Sequence, residues 1–385
     1  MMATLFPQNI FNQETQTPLY YYNLELLEAT LAEVKACCEG YPFKVHYAVK
    51  ANANNRILRT IQVAGIGVDC VSGGEVAASI EAGFDNKKIV FAGVGKTDRE
   101  INLALDADIL CFNVESIPEL EVINELAEKK GKIADVAFRV NPNVDAHTHK
   151  YITTGLSENK FGINMEQLPE VLKTATEMKN INVVGLHFHI GSQITELEPF
   201  NQLCEKVNSL QDDVEQMGIS LKIINVGGGL GVDYDNPDTN PIPQFKAYFD
   251  IFKNGLKLRK GQEVHFELGR AIVAQCGSLI TRVTYVKKGT VKQFVITDAG
   301  MTDLIRPALY QAHHKIENIT SPEKDTAVYD VVGPICESSD CFGENETLPI
   351  TKRGDLLALR TAGAYGEIMA SRYNLRTLPH TLYSK

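Results

Sequence analysis

The chain has no tryptophan, and its eight cysteines (37, 38, 70, 111, 204, 276, 336 and 341) form no CxxC pair and no regular spacing. That argues against a disulfide framework and against a structural zinc site. Most of the thiols read instead as small buried side chains in a reducing compartment. No apolar run approaches the ~20 residues that cross a bilayer, and the opening MMATLFPQNIFNQETQTP lacks the basic and apolar regions of a secretion signal. A cytoplasmic protein with no membrane partner is expected. Positive charge is also in deficit: 38 Lys and Arg against 48 Asp and Glu leave a net charge of −10, which opposes nucleic acid as a partner.

Two nucleotide-binding motifs are near misses. Gly95-Lys96-Thr97 would end a P-loop only with a glycine at position 90, which is Val90. In VGGGLGV a GxGxxG pattern begun at Gly227 needs glycine at 232 and meets Val232.

What remains is an ordinary globular composition, 44% hydrophobic and 22% charged over 385 residues. Single cores stop growing near roughly 250 to 300 residues, so two domains are expected. Between residues 44 and 267, eight apolar β-type runs alternate with helical stretches: VHYAVK (45–50), GVDCV (67–71), KIVFAG (88–93), DILCFNV (108–114), ADVAFRV (134–140), VVGLHFHIG (183–191), KIINVGG (222–228) and EVHFELG (263–269). Near-continuous apolar strands separated by helices imply parallel strands buried on both faces, and eight of them suggest a (β/α)8 TIM barrel, with a doubly wound open sheet as the rival. After residue 270 the texture changes to alternating β-branched segments divided by Gly and Pro. These predict an antiparallel β-sandwich or β-barrel domain. The expected division is a barrel over 24–267 and a β domain over 1–23 and 268–385, with PLYYY supplying an edge strand.

Chemistry-bearing residues gather at strand ends. Lys50 closes the first run, inside a stretch (41–68) that holds Lys44, Lys50, Arg56 and Arg59 and no acid. At a barrel mouth such an amine can form a Schiff base. His187 and His189, two apart, share one face. Without a third ligand nearby or an HExxH motif they do not predict a metal, and an imidazole stacked on an aromatic cofactor suits the position equally well. Ser192 follows His189, and Gly227, Gly228 and Gly229 stand at the end of the seventh run, where barrels commonly seat a phosphate. Glu267 ends the eighth run before Gly269-Arg270. A lysine, a phosphate cradle, a stacking imidazole and an acid for a pyridinium nitrogen are the parts that pyridoxal 5′-phosphate requires.

At these residues the sequence resembles the barrel-type (fold type III) pyridoxal-phosphate decarboxylases, a family related to alanine racemase. It is nearest to the diaminopimelate-decarboxylating branch. The likeness runs through YAVKAN, VDCVSGGE, NKFGI, HFHIGSQI, VGGGLG, DAGMTDLIRPALY, VVGPICESSD and AGAYG. It implies that Lys50 bonds the cofactor and His189 stacks on its ring. Asp69, Ser192, Gly228, Gly229, Gly269, Arg270 and Tyr365 would bind the cofactor too, and Glu267 would hold its ring nitrogen protonated, which favours decarboxylation over racemisation. For a substrate with an amino-acid group at both ends, Arg270 and Arg306 would clamp the distal carboxylate, Tyr310 and Tyr365 would add contacts, and Glu337 would receive the distal ammonium. Cys336 would return the proton. In relatives its loop reaches across a two-fold interface, which implies a homodimer with shared sites. The family's usual Glu-Pro-Gly-Arg is here Glu-Leu-Gly-Arg, with Leu268 in place of proline. Alternatives are a decarboxylase of ornithine, lysine or carboxynorspermidine, and a non-catalytic regulatory homologue that binds the same cofactor.

Overall fold

In this computed structural model, residues 5–7, 10–145 and 160–385 are described. The chain separates into two compact units. One, the barrel unit, comprises Thr30–Gly231 and Gln244–Gly269, and the other, the β unit, comprises Met1–Ala29, Val232–Pro243 and Arg270–Lys385.

The chain begins with β1 (Leu19–Tyr22) and α1 (Leu24–Cys38). Each of the eight apolar runs then becomes a parallel strand: β2 (Phe43–Ala48), β3 (Gly67–Cys70), β4 (Ile89–Phe91), β5 (Cys111–Val114), β6 (Ala134–Asn141) with the two-residue β7 (Ile163–Asn164) beside it, β8 (Ile181–His187), β9 (Ile223–Asn225) and β10 (Glu263–Leu268). Pairing runs β2-β3-β4-β5-β6-β8-β9-β10 and returns from β10 to β2, so the sheet closes as a TIM-type barrel. The rival open sheet is thereby excluded.

Helices α2 (Asn55–Ala64), α3 (Gly73–Ala82), α4 (Asp98–Ala107), α5 (Ile117–Lys129), α6 (Leu168–Glu177), α7 (Glu198–Gln216) and α8 (Phe245–Gly255) intervene. Four of them start at a side-chain cap on the residue before the helix: Asn54, Ser72, Thr97 and Ser116 each accept a first-turn backbone N–H. Such caps satisfy amides the helix itself leaves orphaned and allow short strand-to-helix turns. On the outer face of β10, Phe266 meets Phe249 edge-to-face at 4.8 Å and Phe252 at 5.2 Å, which seats α8 on the barrel.

In the β unit, β11 (Gly277–Lys288), β12 (Gln293–Thr297), β13 (Ile316–Asn318), β14 (Thr326–Val332), β15 (Cys341–Pro349), β16 (Leu356–Leu359) and β17 (His380–Tyr383) form a mostly antiparallel sheet ordered β13-β16-β11-β12-β14-β15. Two pairings are parallel, β12 with β14 and β1 with β17. The N-terminal strand is not at an edge as expected. It lies between β11 and β17, with all four residues buried. Residues 232–243, read from sequence as part of the barrel, group with the β unit because Tyr234 and Asp238 bond its arginines.

Candidate active site

Glu267 organises the mouth of the barrel. Asn113 on β5 donates its side-chain N–H to Glu267 Oε1 at 2.9 Å and Asn225 on β9 donates to the same oxygen at 2.7 Å. His187 at the end of β8 meets Oε2 through Nε2 at 2.9 Å. Asn113 reaches β10 from across the barrel, so these side chains share the lumen. Burial alone would raise the Glu267 carboxyl, but the His187 ring and the hydrogen bonds outweigh it and hold it below the usual carboxylate range. Asp69 on β3 is only 2% exposed. Its carboxyl is pushed well above the usual range by burial and then by the charge of Glu267, with Lys50 opposing.

Lys50 lies in the 3-10 turn Val49–Ala51 that follows β2. His189, two residues past the end of β8, accepts the Gly228 N–H on Nδ1 at 3.4 Å. Burial, then the charges of Lys50 and Arg139, hold its ring well below the usual histidine range, so it is neutral. The loop bearing Ser192 is stitched to the glycine loop by Ile194 N–H to Gly229 O and Gly231 N–H to Ile194 O, both at 2.9 Å. Glycine is required here. A Cβ on Gly228 would stand 2.0 Å from the Glu267 carbonyl oxygen, and Gly229, at φ +107°, would place one 2.7 Å from Gly191 O. Gly269 leaves room for Ala48 and Ala51, whose Cβ atoms would be 3.1 Å from an added one.

In the β unit, Arg270 and Arg306 each donate from Nη1 to the Tyr234 hydroxyl, at 2.5 and 2.8 Å. Burial works to raise that phenol, and the two guanidiniums overcome it and lower it. Arg270 also lies 5.0 Å from the Tyr365 ring centroid, and Tyr365 is at φ +56°, a left-handed conformation uncommon for a bulky side chain. Tyr310, at the end of α9 (Arg306–Tyr310), adds to the field on Arg270. Cys336 and Glu337 are exposed, with hydrogen bonds running elsewhere in the same unit: Cys336 N–H to Asn374 Oδ1 at 3.4 Å, and Tyr373 O–H to Glu337 Oε1 at 2.7 Å.

The basic stretch of the sequence divides. Lys44 is the second residue of β2 and Lys50 follows its end, while Arg56 and Arg59 are exposed on α2, whose apolar residues Ile57, Leu58 and Ile61 turn inward. Lys96, rejected as a P-loop lysine, has a buried side chain that donates to the carbonyls of Gly93 and Asn113, both at 2.8 Å, and to Glu119. It thereby anchors the strand end that carries Asn113. Sequence reading missed Asn113, Asn225 and the bond from His187. Their signal was a polar residue at the end of an apolar strand run.

The family model for the pyridoxal-dependent decarboxylase, pyridoxal binding domain, matches residues 24–274. The chain belongs to the pyridoxal-dependent decarboxylase family. It is 61% identical over 379 residues to a diaminopimelate decarboxylase of Bacteroides thetaiotaomicron, covering 98% of each chain. A crystal structure of diaminopimelate decarboxylase from Helicobacter pylori complexed with L-lysine superposes with a TM-score of 0.92 at 41% identity, covering 97% of this chain and 93% of that one. A lysine/ornithine decarboxylase from Vibrio vulnificus complexed with putrescine has a TM-score of 0.83 at 22% identity, covering 96% of this chain and 95% of that one, and shares the fold.

As a member of this decarboxylase family the chain is a carboxy-lyase with pyridoxal phosphate as its cofactor. The barrel residues fit that group. Bare glycine amides line a loop that a Cβ would obstruct, and an ionised carboxylate is held ready by three partners. The buried Asp69 Oδ1, Arg139 Nε and His187 Nδ1 have no hydrogen-bond partner among the described residues. Among those residues no group of three or more His, Cys, Asp or Glu is placed to hold a metal, and no helix is long and apolar enough to cross a membrane.

Proposed function

We propose that the chain removes CO2 from meso-2,6-diaminopimelate and releases L-lysine, the last step of bacterial lysine synthesis. The observation that carries the substrate choice is the convergence of two buried guanidiniums, Arg270 and Arg306, on the Tyr234 hydroxyl. Two planar cations in so small a space suit a carboxylate, which accepts a fork of N–H groups from each. Diaminopimelate carries a second carboxylate and ornithine does not, so ornithine would leave that site's buried charge unanswered. The names of the relatives at 61% and 41% identity agree.

When bound, pyridoxal phosphate supplies an electron sink for the pair left at Cα as CO2 departs. In this reading Lys50 bonds the cofactor, and the Ser192 hydroxyl with the amides of Gly228, Gly229 and the Gly269-Arg270 turn holds the phosphate. The neutral His189 ring covers one face of the cofactor ring, Glu267 holds a proton at the ring nitrogen, and Asp69 and Tyr365 complete the cofactor contacts. Tyr310 and Tyr365 steady the substrate, Glu337 receives the distal ammonium, and Cys336 Sγ returns a proton to Cα. A homodimer with shared sites is part of the proposal: Leu375 is 96% exposed and Tyr373 48% exposed, next to the residues that bond the Cys336-Glu337 loop, and such apolar exposure favours a partner surface. Eight free cysteines suit a cytoplasmic setting.

The test supplies diaminopimelate, ornithine, lysine and arginine in turn to the cofactor-loaded protein and measures CO2. Diaminopimelate is expected to exceed the others by at least a hundredfold in kcat/KM. Faster turnover of ornithine would overturn the assignment.

A further inference from the structure

Arg306 and Arg360 are both buried arginines of the β unit, 5% exposed each, yet they are answered in opposite ways. Arg360 donates to two carboxylates, Glu317 at 2.5 Å and Asp238 at 2.7 Å, so its charge is cancelled within the unit. Arg306 has no carboxylate partner among the described residues. Its Nη1 donates instead to the Tyr234 hydroxyl at 2.8 Å and to His314 Nε2 at 3.2 Å.

Two local devices place His314. Gln311, left-handed at φ +54°, stops α9 and returns its N–H to the Arg306 carbonyl, so the chain folds back toward Arg306. The pairing of β13 with β16 continues past Ile316 and Leu359, where Arg360 N–H bonds the Lys315 carbonyl at 2.9 Å and the Arg360 carbonyl in turn meets His314 Nδ1 at 2.9 Å. The imidazole is fully buried, and the Tyr234 ring packs edge-to-face on it at 5.2 Å.

These contacts permit one proton arrangement. A carbonyl only accepts, so His314 carries its hydrogen on Nδ1; a guanidinium only donates, so Nε2 is bare. His314 is therefore neutral, and burial followed by the charge of Arg306 agrees by lowering it to about 3. An imidazolium would set N–H against N–H. With both hydrogens of Nη1 taken, the Nε–Nη2 edge of Arg306 has no hydrogen bond among the described residues, and that edge is a fork that matches a carboxylate.

We infer that His314 is the positioning residue of the distal-carboxylate clamp: it accepts from Arg306 Nη1 without cancelling the guanidinium's charge, and so keeps the Nε–Nη2 edge for the substrate. An acid at 314 would hold Arg306 equally well and consume that charge, as Glu317 and Asp238 do at Arg360. This role rests on the reading that Arg306 meets the second carboxylate of diaminopimelate.

His314→Gln and His314→Glu have the same shape and differ in charge, and each can offer an oxygen where Nε2 stands. In the cofactor-loaded enzyme His314→Gln should keep KM for diaminopimelate within about threefold of wild type, whereas His314→Glu should raise it about tenfold or more, leave kcat within about twofold and not lower kcat/KM for ornithine. Combined with Arg306→Met, the Gln and Glu variants should become indistinguishable, because the effect passes through that guanidinium. If the acid at 314 prevents folding, nitrogen NMR of the wild-type histidines, with the His314 signal identified by its loss in His314→Gln, reads the same point: a neutral ring with its hydrogen on Nδ1 between about pH 5 and 8. The inference is overturned by equal KM values for the two variants, by parallel losses with both substrates, by a Glu effect that persists in Arg306→Met, or by a His314 ring that titrates in that range or carries its hydrogen on Nε2. A wild type that prefers ornithine would overturn the substrate reading and this role with it, whereas each of the other adverse results leaves a wild-type preference for diaminopimelate standing.

Discussion

Asn113→Leu removes one donor from the Glu267 carboxylate while keeping the branched shape of the side chain. The lost contact is a 2.9 Å hydrogen bond to a buried anion that keeps two other partners, Asn225 and His187. A hydrogen bond to a charged group contributes about 1.5 to 3 kcal/mol, so the variant should unfold more easily by that amount. The same energy raises the Glu267 pKa by roughly one to two pH units. Because the wild-type carboxyl is held below the usual range, Glu267 stays ionised at neutral pH in the variant too. The sign follows from linkage: a depressed carboxyl contributes stability that is fully present above its unfolded pKa and is lost as pH falls through the folded value. Raising that value leaves the onset of acid loss at the unfolded pKa and moves its lower end upward, without touching neutral pH. Urea denaturation of the cofactor-stripped proteins at pH 6, 7 and 8 should therefore give one constant difference. A loss below about 0.5 kcal/mol, or one that changes across those three pH values, refutes the claim that Asn113 stabilises an ionised Glu267.

Gly228→Ala forces a Cβ to within 2.0 Å of the Glu267 carbonyl oxygen, so β9 and β10 must separate and cofactor affinity should fall at least tenfold. Unchanged affinity by fluorescence titration would show that the loop yields cheaply. Arg306→Met should raise KM for diaminopimelate about tenfold to a hundredfold, the worth of a charge-assisted hydrogen bond, with little effect on ornithine. An equal effect on both substrates would remove Arg306 from distal-carboxylate recognition. Cys336→Ala should depress kcat by more than tenfold with cofactor absorbance intact. Mixed with inactive Lys50→Ala protein it should regain activity through hybrid dimers, and no recovery after verified subunit exchange would exclude shared sites.

The barrel was legible because its strands are buried on both faces and leave near-continuous apolar runs, and because Lys50, His189 and Glu267 interrupt those runs at their ends. Asn113 and Asn225 were not, since an asparagine in a strand acquires meaning only when closure points it into a lumen shared with Glu267. The β unit was read less completely. β15 ends the sheet path and is largely polar, CFGENETLP, so it offers no alternation to detect. LYYY in β1 was expected at an edge, yet four apolar residues in succession are the mark of a strand buried on both faces, which is how it lies between β11 and β17.

Those two asparagines also explain how one lumen holds two carboxyls in opposite states. Burial raises the pKa of Asp69 and Glu267 alike, and mutual repulsion forbids both from ionising cheaply. The donors break the tie: Glu267 receives three polar contacts, whereas Asp69 Oδ1 has no partner among the described residues. The negative charge therefore settles on Glu267, and that charge drives Asp69 further toward its neutral form. Amide donors suit this task because they stabilise the anion without cancelling it, as a lysine at either position would. For the role proposed for Glu267 the distinction is decisive, since only a carboxylate that keeps its charge in a dry site can hold a proton on a ring nitrogen opposite it.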